Sequence, residues 1–170
     1  INAGLNAVRY PYFVNTDVDC ILSHDAILQC IRPILEDDSI IAVSGAMAMN
    51  NGCTVDRGHI LKRKVSRSPV PLFQSIEYLR SFFLGKMAWS QINAMPNVSG
   101  GYGLFSTAAV INAGGYNPTS FAEDMDMVIR MVTYSCDMGQ RYRIVQIPAT
   151  CCWTQGPPNY KVLSRQRVRW

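Results

Sequence analysis

No uninterrupted apolar run in these 170 residues reaches the length a bilayer demands, although 48% of them are hydrophobic. The apolar residues are dispersed among 16% charged ones, an ordinary globular balance. A membrane-spanning helix within the chain is therefore excluded, and this piece is expected to be soluble by itself. No basic-plus-apolar leader stands at the N-terminus. The chain opens on Ile1 in mid-pattern and is expected to be part of a longer protein. The cysteines (Cys20, Cys30, Cys53, Cys136, Cys151, Cys152) form no C-x-x-C pair, and adjacent Cys151 and Cys152 cannot bridge each other without backbone strain. That pattern fits a reducing cytosol. Internal repeats and low-complexity linkers are also missing.

Several sites of chemistry are excluded in the same way. His24 and His59 have no partner at metal-ligand spacing and read as surface or capping histidines. No Ser-His-Asp or Cys-His signature appears. "VSGGYG" lacks both a P-loop lysine and the dinucleotide spacing, so Gly100 and Gly101 read as a tight turn or a close backbone approach. The net charge of +4 is modest, and no nucleic-acid partner is expected. Basic residues do gather in "RGHILKRKVSR" (57–67) and "KVLSRQRVR" (161–169), which are either solvated faces or surfaces for phosphate or anionic lipid.

What is present alternates between strand-like and helix-like segments, which predicts an α/β layer architecture in a single domain. "YPYFVNT" predicts a strand. Ser23 could cap a following helix from about 24 to 36, with Ile27, Leu28, Ile31 and Leu35 at helical spacing. "SIIAVSGAMAM" predicts a second strand, and "NNGCTVDRG" with the basic stretch a surface excursion. Leu72, Phe73, Ile76, Leu79, Phe83, Met87 and Ile92 predict one long amphipathic helix over 71–92, its aromatics in the core. "NVSGGYGLFST" ends as a strand, and "TAAVINAGGY" gives a short helix stopped by Gly114 or Gly115. A helix over about 122–134, a strand "YRIVQIP" and a last helix ending at Trp170 complete the pattern.

Three short motifs carry chemistry, each beside a plainer alternative. In "TDVDC" the i and i+2 side chains of an extended segment aim the carboxylates of Asp17 and Asp19 at one spot beyond a strand end. Such a pair suits Mg²⁺ or Mn²⁺ with positions left open for phosphate oxygens; the alternative is an acidic turn in which Asp19 or Ser23 caps the next helix. In "FAEDMDM", Glu123 and Asp124 open a helix, where one of them is either a general base or simply a favourable charge at the helix start. In "RQRVRW", helical spacing sets Gln166, Arg169 and Trp170 on one face. An amide, a guanidinium and an indole so grouped suit a diphosphate and a sugar ring, or else form a basic surface helix with a packed Trp.

In order and spacing together, D-x-D after a strand, G-G-Y-G some way on, E-D at a helix start and Q-x-x-R-W, with "NAGLNA" before them and "AGGY" between, resemble the family 2 glycosyltransferases. The likeness is to the membrane-embedded polysaccharide synthase branch: cellulose, hyaluronan and poly-N-acetylglucosamine synthases. It implies an incomplete GT-A-like, Rossmann-related α/β domain, with residues 1–170 its central-to-C-terminal part and the N-terminal nucleotide-binding βαβ portion absent. Further implied are an inverting, metal-dependent transfer from a nucleotide-sugar, of UDP type, to a polysaccharide or glycan acceptor, with Mg²⁺ or Mn²⁺ as cofactor. On this resemblance Asp17 would face the donor, Asp19 would hold the metal with Asp17, Asp124 would be the base, and Gln166 and Arg169 would hold the diphosphate. Trp170, Glu123, Gly100 and Gly101 would border the acceptor. The full-length protein would sit in the cell membrane with this domain on the cytoplasmic side, and the chain alone would be inactive. A non-catalytic nucleotide-sugar-binding or regulatory module of the same fold is the alternative, and an acidic-edged scaffold without a ligand is a third.

Overall fold

A computed structural model describes residues 1–168; Arg169 and Trp170, assigned above to diphosphate and acceptor, lie outside the described residues. The core is a five-stranded mixed sheet in the order β1-β6-β3-β7-β2. Its strands are β1 (Tyr12–Thr16), β2 (Ile21–Leu22), β3 (Ile40–Met49), β6 (Tyr102–Ser106) and β7 (Arg143–Thr154). β3 and β7 run parallel at the centre, and β6 lies antiparallel to both β1 and β3. β3 is buried along nearly its whole length, as expected of an apolar run covered on both faces. Successive residues of β6 serve opposite faces: Leu104 joins the cluster of Cys30, Ile34 and Phe82, while Phe105 joins that of Val110, Met127 and Met131. Helices therefore cover the sheet on both sides.

Where the sequence predicts α2 from about 24 to 36, the helix runs Ala26–Glu36 with Asp25, not Ser23 or Asp19, at its N-cap. Its buried stripe is Ala26, Cys30 and Ile34, whereas Ile27, Leu28 and Leu35 of the predicted stripe are exposed. The predicted excursion is a surface hairpin, β4 (Thr54–Asp56) with β5 (His59–Lys62). Arg57 and Gly58 both have positive φ at its tip, the requirement of a two-residue turn that follows strand twist. One cation of the basic run is not simply solvated: the Arg63 guanidinium lies 5.0 Å over the Trp153 ring.

The predicted long helix is a rod in three parts: α3 (Pro69–Leu79), a π-helical segment over Arg80–Gly85, and α4 (Lys86–Gln91). It differs from expectation in its sidedness. Phe73, Ile76, Leu79 and Ile92 are exposed, and the rod instead turns Gln74, Lys86 and Ser90 inward, with Phe82 as its buried aromatic. Those polar side chains have partners that explain the inversion. Gln74 donates to the Pro157 carbonyl at 3.1 Å, and the Ser90 hydroxyl accepts the Gln146 N–H of β7 at 2.9 Å.

Beyond the rod, α5 (Thr107–Asn112) is capped by Ser106, and Gly114 and Gly115 follow it with φ of 87° and 72°. α6 (Glu123–Asp137) runs three residues past its predicted end. β7 continues six residues beyond "YRIVQIP", crossing register shifts against β3. α7 (Tyr160–Val168) closes the described chain, and a four-residue helix, α1 (Asn2–Leu5), opens it. No helix among the described residues is long and apolar enough to cross a membrane.

Candidate active site

β1 ends at Thr16, so Asp17 and Asp19 stand just past the strand end as expected, but in a turn rather than on an extended segment. The loop is tied down from behind. The Asp17 N–H donates to the Gly101 carbonyl at 3.3 Å, the Thr16 hydroxyl to the same oxygen at 3.1 Å, and the Asn15 amide to the Gly100 carbonyl at 3.3 Å. A turn closed by the Cys20 N–H on the Asp17 carbonyl at 3.2 Å then leads into β2, which pairs with β7. Gly101 is the close approach of the two glycines: a Cβ there would lie 2.5 Å from the Met47 methyl of β3, which would have to shift, whereas a Cβ on Gly100 would meet nothing nearer than 3.9 Å.

On the other side, α6 brings Glu123 and Asp124 in its first turn. Ala122 occupies the N-cap position and makes no side-chain bond, so the acids face the positive helix end without capping it in the strict sense. Asp124 is fixed at both oxygens, Oδ2 by the Asn97 amide at 2.7 Å and Oδ1 by the Met125 N–H at 2.9 Å. Each oxygen keeps a further lone pair for a proton.

The third wall is α7. Asn159 starts it, accepting the Val162 N–H at 3.1 Å, and Asn51 holds Gly156 through two bonds of 2.7 and 2.9 Å. Arg167 pairs with Glu77 of α3 at 2.5 Å. These contacts bring Gln166 to the same space as the acids. One cavity of about 510 Å³ is lined by Asp17, Asp19, Gly100, Gly101, Glu123, Asp124 and Gln166, all singled out from sequence. Its lining also includes residues given no role from sequence. Asn97 carries no pattern signal; Phe121, 95% exposed, begins the "FAEDMDM" motif, and its place in that motif is the signal that could have found it.

Negative charge is concentrated there. Partial desolvation first, then the carboxylate of Asp19 and then that of Glu123, raise the Asp17 carboxyl above its ordinary value even though it reaches solvent. Behind Asp124, Lys86 is buried with its ammonium 4.9 Å over the Phe82 ring. Burial lowers its pKa to about 8, against an opposing pull from Asp124. Tyr116 is pushed up to about 12 by burial, then by Glu123 and Asp124.

The donor set fits a divalent cation. The carboxylates of Asp17 and Asp19 and the thiol of Cys20 offer ligand atoms all within 4.8 Å of one another, and two adjacent carboxylates supply the oxygen ligands such an ion takes.

No protein-family model matches the chain. Along its full length it is 28% identical to the poly-beta-1,6-N-acetyl-D-glucosamine synthase of Staphylococcus aureus (strain COL), and 25% identical to the synthase of that name from Staphylococcus epidermidis. The chain spans 36% of the length of these curated relatives. Among solved structures, the mannosyltransferase PcManGT from Pyrobaculum calidifontis, in complex with GDP-Man and Mn²⁺, superposes with a TM-score of 0.64 at 18% identity. The match covers 99% of this chain and 38% of that one. The fold is thus the expected GT-A-like α/β fold, over part of such a domain.

Proposed function

We propose, from the kinship of this chain with the family 2 polysaccharide synthases, that it is the central-to-C-terminal part of a glycosyltransferase catalytic domain. In the whole protein this domain moves a sugar from a UDP-sugar to a growing polysaccharide, with inversion. The observation that carries the proposal is the convergence of two carboxylate pairs, from the ends of β1 and α6, with Gln166 of α7 on one cavity. Asp124 takes the proton of the acceptor hydroxyl; the hydroxyl oxygen bonds to the anomeric carbon as the bond to the diphosphate breaks, and the diphosphate leaves with the electron pair. Attack opposite the leaving group inverts that carbon and requires no covalent nucleophile. Asp17 and Asp19 hold the divalent ion, which when bound neutralises charge on the departing diphosphate. Gln166, with Arg169, holds the diphosphate, while Glu123, the Gly100–Gly101 loop and Trp170 border the acceptor. The rest of the protein keeps the domain at the cytoplasmic face of a membrane.

The test is calorimetry with UDP and Mn²⁺ on the full-length protein, followed by transfer assays. UDP-N-acetylglucosamine is the first donor to try, since the relatives carry that sugar in their names. Wild type is expected to bind UDP in a metal-dependent way and Asp19→Asn to lose both binding and transfer. Metal-dependent binding with no transfer from any donor would favour the non-catalytic module instead, and no binding at all would leave a scaffold.

A further inference from the structure

Cys20 immediately follows the D-x-D motif, and no motif assigned it a part. The turn from Asp17 to Cys20 brings its sulfur within 4.8 Å of the ligand oxygens of both aspartates. It is not a loosely hung thiol. The next residue, Ile21, is in ladder register with Trp153 of β7, so the place of Cys20 beside the carboxylates is set by the sheet. Cys20 is partly buried, while the two acids beside it are exposed.

We propose that Cys20 is a third side-chain ligand of the Asp17–Asp19 cation site and sets its metal preference. This rests on the metal role given to the two aspartates in the proposed function. Mg²⁺ is a hard ion that demands oxygen ligands in near-ideal octahedral geometry, and a sulfur in its shell is a poor partner. Mn²⁺ tolerates mixed donors, and softer divalent ions such as Cd²⁺ favour thiolate outright. An oxygen, oxygen, sulfur set therefore ranks Cd²⁺ above Mn²⁺ and Mn²⁺ above Mg²⁺. On ligation the sulfur–metal bond forms as the S–H proton leaves to solvent, with no change of oxidation state.

The experiment follows bound Mn²⁺ by electron paramagnetic resonance on the full-length protein with UDP present. Chelator-buffered Cd²⁺ or Mg²⁺ then displaces it from wild type, Cys20→Ser and Asp19→Asn. Wild type is expected to release Mn²⁺ at far lower free Cd²⁺ than free Mg²⁺. Cys20→Ser should narrow that ratio by at least the about tenfold that loss of even an outer-shell partner costs a metal site. A merely structural cysteine would weaken all three ions alike, so an unchanged ratio in Cys20→Ser, with Asp19→Asn losing Mn²⁺, overturns the role of Cys20 and leaves the metal role of the aspartates standing. Equal Mn²⁺ binding by wild type and Asp19→Asn, or none by either, overturns both. A second measurement covers a Cys20→Ser protein that fails to fold. In wild type with UDP, adding Mn²⁺ should slow iodoacetamide alkylation of Cys20 while leaving Cys53 unchanged; equal rates at Cys20 overturn the proposal.

Discussion

The rod of α3, the π segment and α4 covers one face of the sheet and α6 the other, yet they meet it in opposite ways. α6 presents Met127, Val128 and Met131 inward, an apolar stripe at i, i+1 and i+4. The rod presents Gln74, Lys86 and Ser90 inward and leaves Phe73, Ile76 and Leu79 outside. The difference follows from what each must hold. α6 only has to bury itself and project two acids from its first turn. The rod has to grip a loop carbonyl before α7, a backbone N–H of β7 and the neighbourhood of Asp124, and only polar side chains do that. Hydrophobic spacing therefore identified the rod as a helix but did not orient it.

Substitutions on the two elements sharpen the contrast. The largest effect is expected where α6 enters the site: Asp124→Asn should lower transfer by about 10²–10⁴-fold, the range for general-base catalysis, with UDP affinity near wild type and stability almost unchanged. Glu123→Gln should lose less. If Asp124→Asn transfers normally and Glu123→Gln does not, the base is Glu123. Both need transfer assays and UDP titration of the full-length protein.

Next comes the core of α6. Met131, 1% exposed, when cut to alanine should cost about 2–5 kcal/mol by denaturant unfolding. The rod's inward lysine should behave in the reverse sense. Its folded-state pKa lies below the unfolded value of 10.5, at about 8, because burial disfavours the charged form. The penalty is complete below pH 8 and is relieved between pH 8 and about 10.5, where the unfolded chain binds the extra proton, so stability should rise with pH across that window. Lys86→Met should be more stable than wild type at pH 7 by at most about 3 kcal/mol and should lack the rise. Comparing the two proteins removes the shared titration of the buried cysteines. If wild type and variant give parallel stability curves from pH 7 to 10.5, the lysine is not desolvated in solution.

The smallest effect is expected on the rod's outer face: Ile76→Ser should change stability by no more than about 0.5 kcal/mol, as exposed substitutions do. A cost like that of Met131→Ala would mean that this face is covered in solution.

The legible parts of the molecule were those in which a local pattern has one structural solution. The largely apolar segment of β3 was readable as a strand, and the sheet places it at the centre. The D-x-D spacing rightly paired Asp17 and Asp19, but a turn closed by the Cys20 N–H on the Asp17 carbonyl, rather than strand alternation, brings them together. Glu123, Asp124, Gly100, Gly101 and Gln166 were found through motif order, and the cavity gathers them although they come from three parts of the chain. Contacts distant in sequence were not legible. β2 is two residues long and exists only through its pairing with β7; Asn97 touches Asp124 across 27 positions; Gln74 is buried because Pro157 needs a donor. The inward faces of α2 and the rod were missed for the same reason, since Ala26, Cys30 and Gln74 are unremarkable until their neighbours are known.

The π-helical turn at Arg80–Gly85 gives the rod a phase. Widening one turn carries an extra residue, and each residue in a helix advances the direction of the next side chains by about 100°. α4 is thereby set out of step with α3, and Lys86 and Ser90 arrive on the sheet side. Deleting one residue from this turn would restore an even helical lattice and swing both away from the sheet, as a dropped letter shifts every later word. The amide of Gln146, bonded to Ser90, would report the slip by faster hydrogen exchange.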